Sequence, residues 1–302
     1  MKKNLSKDFT VSVIIPNYNG FELLEKNLPK VISAFHNTKN KITQIIIIDD
    51  GSTDNSIKLI KEKFKEVTLV RHKINRGFIA SVNTGARTAS GELLALLNND
   101  VAPSENFLES VNLVFENPKV FAVSLHEKGY AWAKGYFKDG FIVHASGRET
   151  DQVRETFWVS GGTGVFRREY WMKLGGMDEK LLSPFYWEDV DISYRAMKRG
   201  WVNLWDPEAK VVHEHESTVK NIDKVYRTRI QERNQLIFIW KNLTSGNLIK
   251  KHILGLVSRL SGHPKYFIIV AMALGKIRLI LKARRRELKE SKVSDEAILG
   301  KF

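Results

Sequence analysis

The sequence predicts an α/β fold in which a parallel sheet is covered by helices on both faces. Over the first hundred residues, short β-branched and apolar runs alternate with segments whose apolar residues recur at helical spacing. This alternation is typical of βαβ units. Clusters of Asn and Asp follow three of the runs, and parallel sheets bind ligands beyond the carboxyl ends of their strands. We therefore expect one ligand crevice at that edge of the sheet.

The elements of the first half follow in order from this pattern. Strands are predicted at residues 11–15, 42–48, 67–70 and 93–97, and helices at residues 24–35, 54–64 and 75–89. Pro16 closes the first run, which predicts that the chain enters a loop there. The first strand is not followed by a G-x-G-x-x-G sequence, which argues against a dinucleotide-dependent dehydrogenase.

The pattern is looser after residue 103. The segment 129–154 is rich in glycine and aromatic residues and predicts loops with short strands. Helices are predicted at residues 168–174 and 188–199, and a last strand at residues 210–212. From residue 222 onward the chain is predicted to be helical, and it is basic.

Composition excludes several kinds of site. The chain has 302 residues, of which 43% are hydrophobic and 27% charged, as in an ordinary globular protein. It contains no cysteine, which excludes disulfides, thiolate metal sites and cysteine nucleophiles and fits a reducing cytoplasm. The first ten residues are polar, and the longest apolar stretch, residues 266–275, is shorter than the roughly 18 residues of a spanning helix. We expect a cytoplasmic protein without such a helix.

Eight short motifs together resemble the family 2 glycosyltransferases with the GT-A fold, particularly the rhamnosyltransferase-like branch. They occur in the family's order at residues 11–19 (VSVIIPNYN), 48–54 (IDDGSTD), 75–78 (NRGF), 96–100 (LLNND), 161–163 (GGT), 175–179 (GGMDE), 187–191 (WEDVD) and 206–213 (DP to H). The resemblance implies a Rossmann-like nucleotide-binding sheet with helices on both faces and a mixed acceptor half. It divides the chain into a catalytic domain over residues 1–219, with halves at 1–102 and 103–219, and a helical extension over residues 220–302.

The resemblance also implies a reaction. An inverting enzyme of this kind transfers a sugar from a UDP- or dTDP-sugar to a hydroxyl of a saccharide or lipid-linked saccharide, as in the synthesis of cell-surface polysaccharide or glycolipid. The alternative is a non-catalytic homologue that only binds the nucleotide-sugar, because Asn98 stands at the first acidic position of the family's D-x-D motif.

The predicted nucleotide-sugar site is formed by polar residues at strand ends. Short Asn and Asp side chains can meet the edges of a base and the hydroxyls of a ribose. By resemblance, Asp49 and Asp50 contact base and ribose in an order that the sequence leaves open. The full predicted set is Pro16, Asn17, Tyr18, Asn19, Asp49, Asp50, Arg76, Gly77, Asn98 and Asn99. The alternative for residues 52–54 is a turn followed by a helix cap.

A divalent metal, Mn²⁺ or Mg²⁺, is implied beside the diphosphate, whose charge it would neutralise. Asp100 and His213 are the predicted ligands by resemblance, and His215 is the competing histidine. An imidazole ligand would favour Mn²⁺ over Mg²⁺.

The predicted catalytic pair is Glu188 and Asp189. An acceptor hydroxyl needs a carboxylate to take its proton, and adjacent, partly desolvated carboxylates raise each other's pKa. By resemblance, Asp189 is the base and Glu188 positions the acceptor. The structural alternative is that the acidic residues only favour a helix N-terminus. The predicted contacts to sugar or acceptor are Gly161, Gly162, Thr163 and Trp187.

The net charge of +14 is concentrated in the last 83 residues. Residues 220–302 contain 19 Lys and Arg against 6 Asp and Glu. The apolar stretch at 266–275 and the basic residues after it predict a helix at an anionic membrane surface, where each basic residue contributes about 1 kcal/mol. This would place the protein peripherally on the inner face of the membrane. Packing on the catalytic domain and a homo-oligomer contact are the alternatives, and nucleic acid is not expected because no recognition motif accompanies the charge.

Overall fold

The computed structural model describes residues 8–214 and 223–302. Its strands are β1 (Val11–Asn17), β2 (Ile42–Asp49), β3 (Val67–Arg71), β4 (Leu93–Leu97), β5 (Val101–Pro103), β6 (Val120–Glu127), β7 (Ala133–Lys138), β8 (Phe141–Ser146), β9 (Arg154–Glu155), β10 (Thr163–Arg167) and β11 (Val202–His213). Its helices are α1 (Phe21–His36), α2 (Ser56–Lys63), α3 (Phe78–Thr88), α4 (Glu109–Val114), α5 (Arg168–Leu174), α6 (Glu179–Leu182), α7 (Glu188–Lys198), α8 (Lys224–Asn242), α9 (Gly246–Gly262), α10 (Phe267–Leu274), α11 (Ile277–Glu290) and α12 (Asp295–Leu299).

The central sheet is mixed. Its strand order is β3-β2-β1-β4-β10-β6-β11-β5, and β9 pairs with β11. The four strands of the first half are parallel, whereas β10 runs antiparallel to both β4 and β6. The predicted α/β fold, with a parallel first half and a mixed second half, is therefore confirmed.

The strands of the first half lie where the sequence predicts them, with one difference at Pro16. Strand β1 continues through Pro16 to Asn17 instead of ending before the proline. This is possible because β1 pairs with β4 only as far as Ile14, so Pro16 lies beyond that ladder and beside Ile48 of β2. A proline is tolerated where its missing N–H is not needed by a neighbouring strand.

The sheet separates two hydrophobic cores because successive side chains of a strand point to opposite faces. One core takes Val13 and Ile15 of β1 and the inner face of α1. The other takes Ile14 together with α3, α5 and α7. Gly85 allows α3 to lie close to the sheet, since a Cβ there would be 2.3 Å from the Ile14 side chain.

The C-terminal helices extend the second core. Buried apolar residues of α8 to α12 belong to the same cluster as Ile14, among them Leu236, Phe238, Ile269 and Ile298. Among the described residues, no helix is both long enough and apolar enough to cross a membrane.

Several basic residues of the extension donate to carbonyls at the ends of helices. Arg286 donates to the carbonyls of Leu174 and Lys173 at the end of α5, and Lys276 donates to two carbonyls of α6. Arg284 similarly donates to the carbonyl of Trp240 near the end of α8. Cations are favoured at helix C-termini, where carbonyls are left without partners. Part of the basic excess therefore contributes to packing within the chain.

Candidate active site

The three polar clusters of the first half meet at the carboxyl edge of the sheet. Asn17 ends β1 and lies beside Asp49 at the end of β2. The Asn17 amide donates to Asp49 Oδ2 at 3.5 Å, and Asn17 Oδ1 accepts from the Asn99 amide at 2.9 Å. Asn17 therefore connects the loops after β2 and β4, which supports a single shared crevice.

Asn19 and Gly20 form the turn between β1 and α1. Asn19 has a φ of 48°, a left-handed conformation that asparagine tolerates, and its Oδ1 accepts from the Thr53 N–H at 2.8 Å. A Cβ at Gly20 would be 2.2 Å from the Asn99 amide nitrogen. Tyr18, in the same turn, is 37% exposed. The Tyr18 phenol therefore lies at the surface of the crevice, in a turn that is held between Thr53 and Asn99.

Asp50 is buried and its carboxylate holds the loop before α3. It accepts from the N–H groups of Arg76 and Gly77, at 2.7–3.1 Å. His72 Nδ1 lies 2.6 Å from Asp50 Oδ1, and His72 Nε2 lies 3.0 Å from Thr84 Oγ1. Asp50 thus acts on Arg76 and Gly77 through their backbone, a role that the sequence motif does not reveal.

The Arg76 side chain remains half-exposed beside the crevice. Its guanidinium lies 3.5 Å from Glu179 Oε2, and the same carboxylate accepts from the Asn83 amide at 3.0 Å. Glu179 belongs to the GGMDE motif. Two predicted motifs from opposite halves of the chain therefore share one ion pair at the rim of the site.

The Gly161–Gly162 turn joins the nucleotide half to the acidic pair. Asn98 donates its backbone N–H to the Gly162 carbonyl at 2.9 Å, and a Cβ at Gly162 would be 2.4 Å from the Asn98 amide nitrogen. The Gly161 N–H lies near enough to the Asp189 carboxylate to lower its pKa. Thr163 continues this turn into β10, where it is buried opposite Leu97. A Cβ at Gly162 would take the space that the end of the Asn98 side chain fills, so a larger residue there would displace that side chain.

Asp100 and His213 lie side by side. His213 Nε2 is 3.1 Å from Asp100 Oδ1, and His213 Nδ1 is 3.2 Å from Glu127 Oε2. Burial alone would lower the pKa of His213, but hydrogen bonds to Asp100 and Glu127 and the charges of both carboxylates raise it to about 9. His215, the competing histidine, lies outside the described residues.

This pair suits a divalent cation. Two donor atoms at right angles, each about 2.1 Å from one octahedral ion, lie about 3 Å apart. Glu127 on the other ring nitrogen is the kind of carboxylate partner that orients a metal-bound imidazole. Within residues 8–214 and 223–302, no group of three or more His, Cys, Asp or Glu is arranged to hold an ion by itself. The pair therefore suits an ion that takes its remaining oxygens from water or phosphate.

Glu188 and Asp189 begin helix α7 behind a strained turn. Tyr186 and Trp187 both have a φ of 73°, which is uncommon for bulky residues and costs about 1–3 kcal/mol at each. The turn is held by Asn234 of α8, whose amide donates to the carbonyls of Leu182, Phe185 and Tyr186, at 2.6–2.9 Å. The C-terminal extension thus fixes the backbone that presents the acidic pair.

The acidic pair has perturbed protonation. Burial raises the pKa of Asp189 to about 6, although the N–H groups of Val190 and Gly161 lower it. Burial and the neighbouring Asp189 raise the pKa of Glu188 well above its usual range. Glu188 Oε2 has no hydrogen-bond partner in the described part of the chain. The pair therefore holds one proton more readily than two separate carboxylates would.

Asp191, the third acid of the same turn, serves the fold. It accepts from Arg195 at 2.8 Å, Lys241 at 2.9 Å and Asn242 at 2.7 Å. Burial alone would raise the pKa of Asp191, but the charges of Lys241 and Arg195 lower it to about 2. Its carboxylate is fully buried and joins α7 to α8.

Trp187 is only 7% exposed, so little of its ring can meet a sugar. The ring packs 5.0 Å from Phe238 of α8 and 5.7 Å from His144 of β8, centroid to centroid. His144, His72, Glu127 and Asn234 are residues of this region that the sequence analysis did not identify. They lie outside the family motifs, and each gains its place only through contacts between distant segments.

Comparison with known proteins places these motifs in a family. The model of the family described as Glycosyl transferase family 2 matches residues 12–174, more than half of the chain. An uncharacterised glycosyltransferase of Nostoc is 32% identical over 119 residues, covering 38% of this chain and 36% of that protein. Chondroitin synthase of Pasteurella multocida is 23% identical over 238 residues, covering 66% of this chain and 24% of that protein. The chain spans from 18% to 44% of the length of eight curated relatives that match it, which is less than half of each.

Solved structures share the fold at low sequence identity. The structure of GalNAc-T7 with UDP, GalNAc and Mn²⁺ matches with a TM-score of 0.62 at 17% identity, over 88% of this chain and 58% of that one. A mannosyltransferase of Pyrobaculum calidifontis in complex with GDP-Man and Mn²⁺ matches with a TM-score of 0.57 at 16% identity, over 94% of this chain and 86% of that one.

Proposed function

The chain belongs to glycosyl transferase family 2, and on this premise we propose that it transfers a sugar from a UDP- or dTDP-sugar to an acceptor hydroxyl with inversion. One observation carries the proposal: the Gly162 carbonyl accepts the Asn98 N–H at 2.9 Å, and the adjacent Gly161 N–H lies near enough to Asp189 to lower the pKa of its carboxylate. The predicted diphosphate loop and the predicted base are thereby held against one another. Donor and acceptor sites of a single displacement need this proximity.

Asp189 is the proposed general base. It takes the proton of the acceptor hydroxyl as that oxygen attacks the anomeric carbon and the bond to the nucleoside diphosphate breaks. A pKa of about 6 suits the role, because the group is ionised at neutral pH yet more basic than an ordinary aspartate. Glu188, whose pKa is raised by burial and by the neighbouring Asp189, is proposed to position the acceptor.

The leaving diphosphate is proposed to lie between Asn98–Asn99 and the Asp100–His213 pair. Asp100 and His213 would hold a divalent cation, Mn²⁺ or Mg²⁺, which when bound neutralises charge developing on the diphosphate. Arg76 supports the same end of the site, since its guanidinium is half-exposed and its backbone is fixed by Asp50. Base and ribose are proposed to lie over the loops that contain Pro16, Asn17, Tyr18 and Asp49.

A saccharide or lipid-linked saccharide at an anionic membrane is the proposed acceptor setting. Helix α9 exposes Ile253, Leu254 and Val257 along one face. Helix α11 exposes a stripe of Arg278, Lys282, Arg285 and Lys289. Apolar and basic side chains at helical spacing suit an interfacial position at the inner leaflet.

Sedimentation with vesicles tests the membrane proposal. Vesicles containing phosphatidylglycerol should carry the protein down at low salt, and vesicles of phosphatidylcholine alone should not. Replacing Arg278, Lys282 and Arg285 with Gln should weaken binding, whereas the same change at Lys58, Lys61 and Lys65, exposed residues in and just after α2, should not. An equal loss of binding in both triple variants would mean that net charge alone attracts the protein to the vesicles. If the wild type does not sediment with the anionic vesicles, the membrane proposal is rejected.

Donor binding tests the central proposal. A thermal-shift series with UDP, dTDP and GDP, each with and without Mn²⁺, should show a rise in Tm for the cognate nucleotide that is larger with the metal. The series is followed by transfer assays with the matching nucleotide-sugars and determination of the anomeric configuration of the product. A retained configuration would reject the single displacement.

The alternative function is a non-catalytic nucleotide-sugar binder. Asn98 favours it, because the family's first acidic position is neutral and leaves Asp100 as the acidic residue of the NND segment. Nucleotide binding without any transfer or donor hydrolysis, across metals and acceptors, would favour this alternative.

A further inference from the structure

His144 lies on β8, outside every motif, and its ring contacts two tryptophans, one of which directly precedes the acidic pair in the sequence. The ring packs edge-to-face against Trp158 and Trp187, with centroids 5.6 Å and 5.7 Å away. Trp158 leads into the Gly161–Gly162 turn, and Trp187 immediately precedes Glu188. Both neighbours of the ring are therefore attached to segments of the proposed active site.

The hairpin that carries His144 is fixed from two sides. Gly135, directly opposite His144 in the β7–β8 pair, lies on the Phe157 ring so closely that a Cβ would be 2.2 Å from it. On the other side, Gln235 of α8 donates to the Ile142 carbonyl at 3.0 Å. His252 of α9 lies 2.7 Å from the Gly140 carbonyl through Nδ1. The position of the imidazole is thus set by the fold before any ligand binds.

The ring nitrogens of His144 are available. The side chain is exposed and makes no hydrogen bond within residues 8–214 and 223–302. The buried histidines of this fold behave differently, since both ring nitrogens of His72 and of His252 lie near polar partners. Surrounding protein atoms lower the pKa of His144, so the ring is neutral at pH 7 and offers one N–H donor and one acceptor.

We propose that His144 hydrogen-bonds a hydroxyl of the acceptor saccharide and helps to decide which saccharide is used. A sugar hydroxyl both donates and accepts, which a neutral imidazole can match with either nitrogen. The neighbouring half-buried Trp158 adds apolar surface of the kind on which a sugar ring packs. The proposal rests on the proposed function, because it places the acceptor beside Asp189.

Saturation-transfer NMR tests this without knowledge of the natural acceptor. The probes are the methyl glycosides of glucose, galactose, mannose, N-acetylglucosamine and N-acetylgalactosamine, with UDP and Mn²⁺ present. At least one glycoside should bind the wild type. His144→Phe, which keeps the aromatic packing, should raise its Kd about tenfold, and His144→Gln should recover part of the loss. His36→Phe is the matched control, an exposed histidine that also packs on an aromatic ring.

The outcomes separate the two proposals. Unchanged UDP binding and Tm in His144→Phe, with weakened glycoside binding, support the assignment. Glycoside binding that is equal in wild type and His144→Phe overturns it, as does UDP binding without binding of any glycoside. Failure of the wild type to bind either UDP or dTDP would instead remove the proposed function, and the role of His144 with it.

Discussion

Oδ1 of Asp100, the residue just before β5, lies 3.1 Å from Nε2 of His213, the last residue of β11. The β5 and β11 ladder pairs His213 with Val101, the neighbour of Asp100. Antiparallel pairing therefore places the two side chains together. If this is the metal position, removing either side chain should affect nucleotide binding only when metal is present.

We expect Asp100→Asn and His213→Ala to abolish the additional Tm rise that Mn²⁺ gives with UDP. The rise with UDP alone should remain close to that of the wild type, because the base and ribose contacts are unaffected. The measurement is a thermal-shift titration of Mn²⁺ at fixed UDP. His36→Ala, an exposed histidine of α1, is the control. If the variants keep the additional Tm rise with Mn²⁺, the ion binds elsewhere.

Asp189→Asn should lower kcat by about 10²- to 10⁴-fold, the usual contribution of a general base. The amide keeps the shape of the carboxylate but cannot accept the proton. UDP binding should change little, since Asp189 does not belong to the proposed nucleotide contacts. Initial transfer rates and UDP thermal shifts measure the two effects. Asp8→Asn, at an exposed ion pair with Lys41, should have neither effect. Activity near the wild-type level in Asp189→Asn would reject its role.

The pH profile of kcat/KM should have an acidic limb with an apparent pKa near 6. Asp189 must be ionised to act, and burial raises its pKa to about 6, so activity should fall about tenfold per unit below that pH and level off above it. Because Glu188 and Asp189 interact, the limb belongs to the pair. Rates across pH 4.5–8, with stability checked at each pH, give the value. A midpoint near 4 would mean that an unperturbed carboxylate is the base.

Asp191→Asn should destabilise the protein by about 3–5 kcal/mol, because it leaves the buried cations of Arg195 and Lys241 without their common carboxylate. Denaturant unfolding measures the change. Glu169→Gln, which removes an exposed pair with Lys173, should leave the midpoint nearly unchanged. The folded-state pKa of Asp191 is lowered to about 2, so its stabilising contribution is present above pH 4 and is lost as the pH falls toward 2.

Asn234→Ala should reduce kcat/KM as well as stability. The change leaves the carbonyls of Leu182, Phe185 and Tyr186 without their donor and releases the turn that presents Glu188 and Asp189. A loss of about 1–3 kcal/mol in unfolding free energy is expected for the buried polar groups. Asn247→Ala, at an exposed position of α9, serves as the comparison. Full activity at a temperature where Asn234→Ala remains folded would show that the turn needs no such support.

The order of strands and helices in the first hundred residues was predictable from sequence because hydrophobic periodicity is a local property, whereas β6 and β10 of the second half were not predicted. The predicted strands at residues 42–48 and 93–97 match β2 and β4 to within one residue. The motif segments were likewise recognisable because their residue types and their order are properties of the sequence itself. The family and the fold that follow from them are confirmed.

Tertiary structure decided what each motif residue contacts. Asp50 belongs to the predicted nucleotide-sugar site and Asp191 to the WEDVD motif, yet both carboxylates bind donors of the protein itself. Arg286 looks like part of a basic tail, yet it caps α5. His144 belongs to no sequence motif, but the β7–β8 hairpin brings its ring into contact with Trp187. The sequence alone determined the family, the element order of the first half and the set of candidate groups. Which of them are free to meet a ligand depends on partners brought from distant segments, because hydrogen bonding and desolvation arise only when those segments pack.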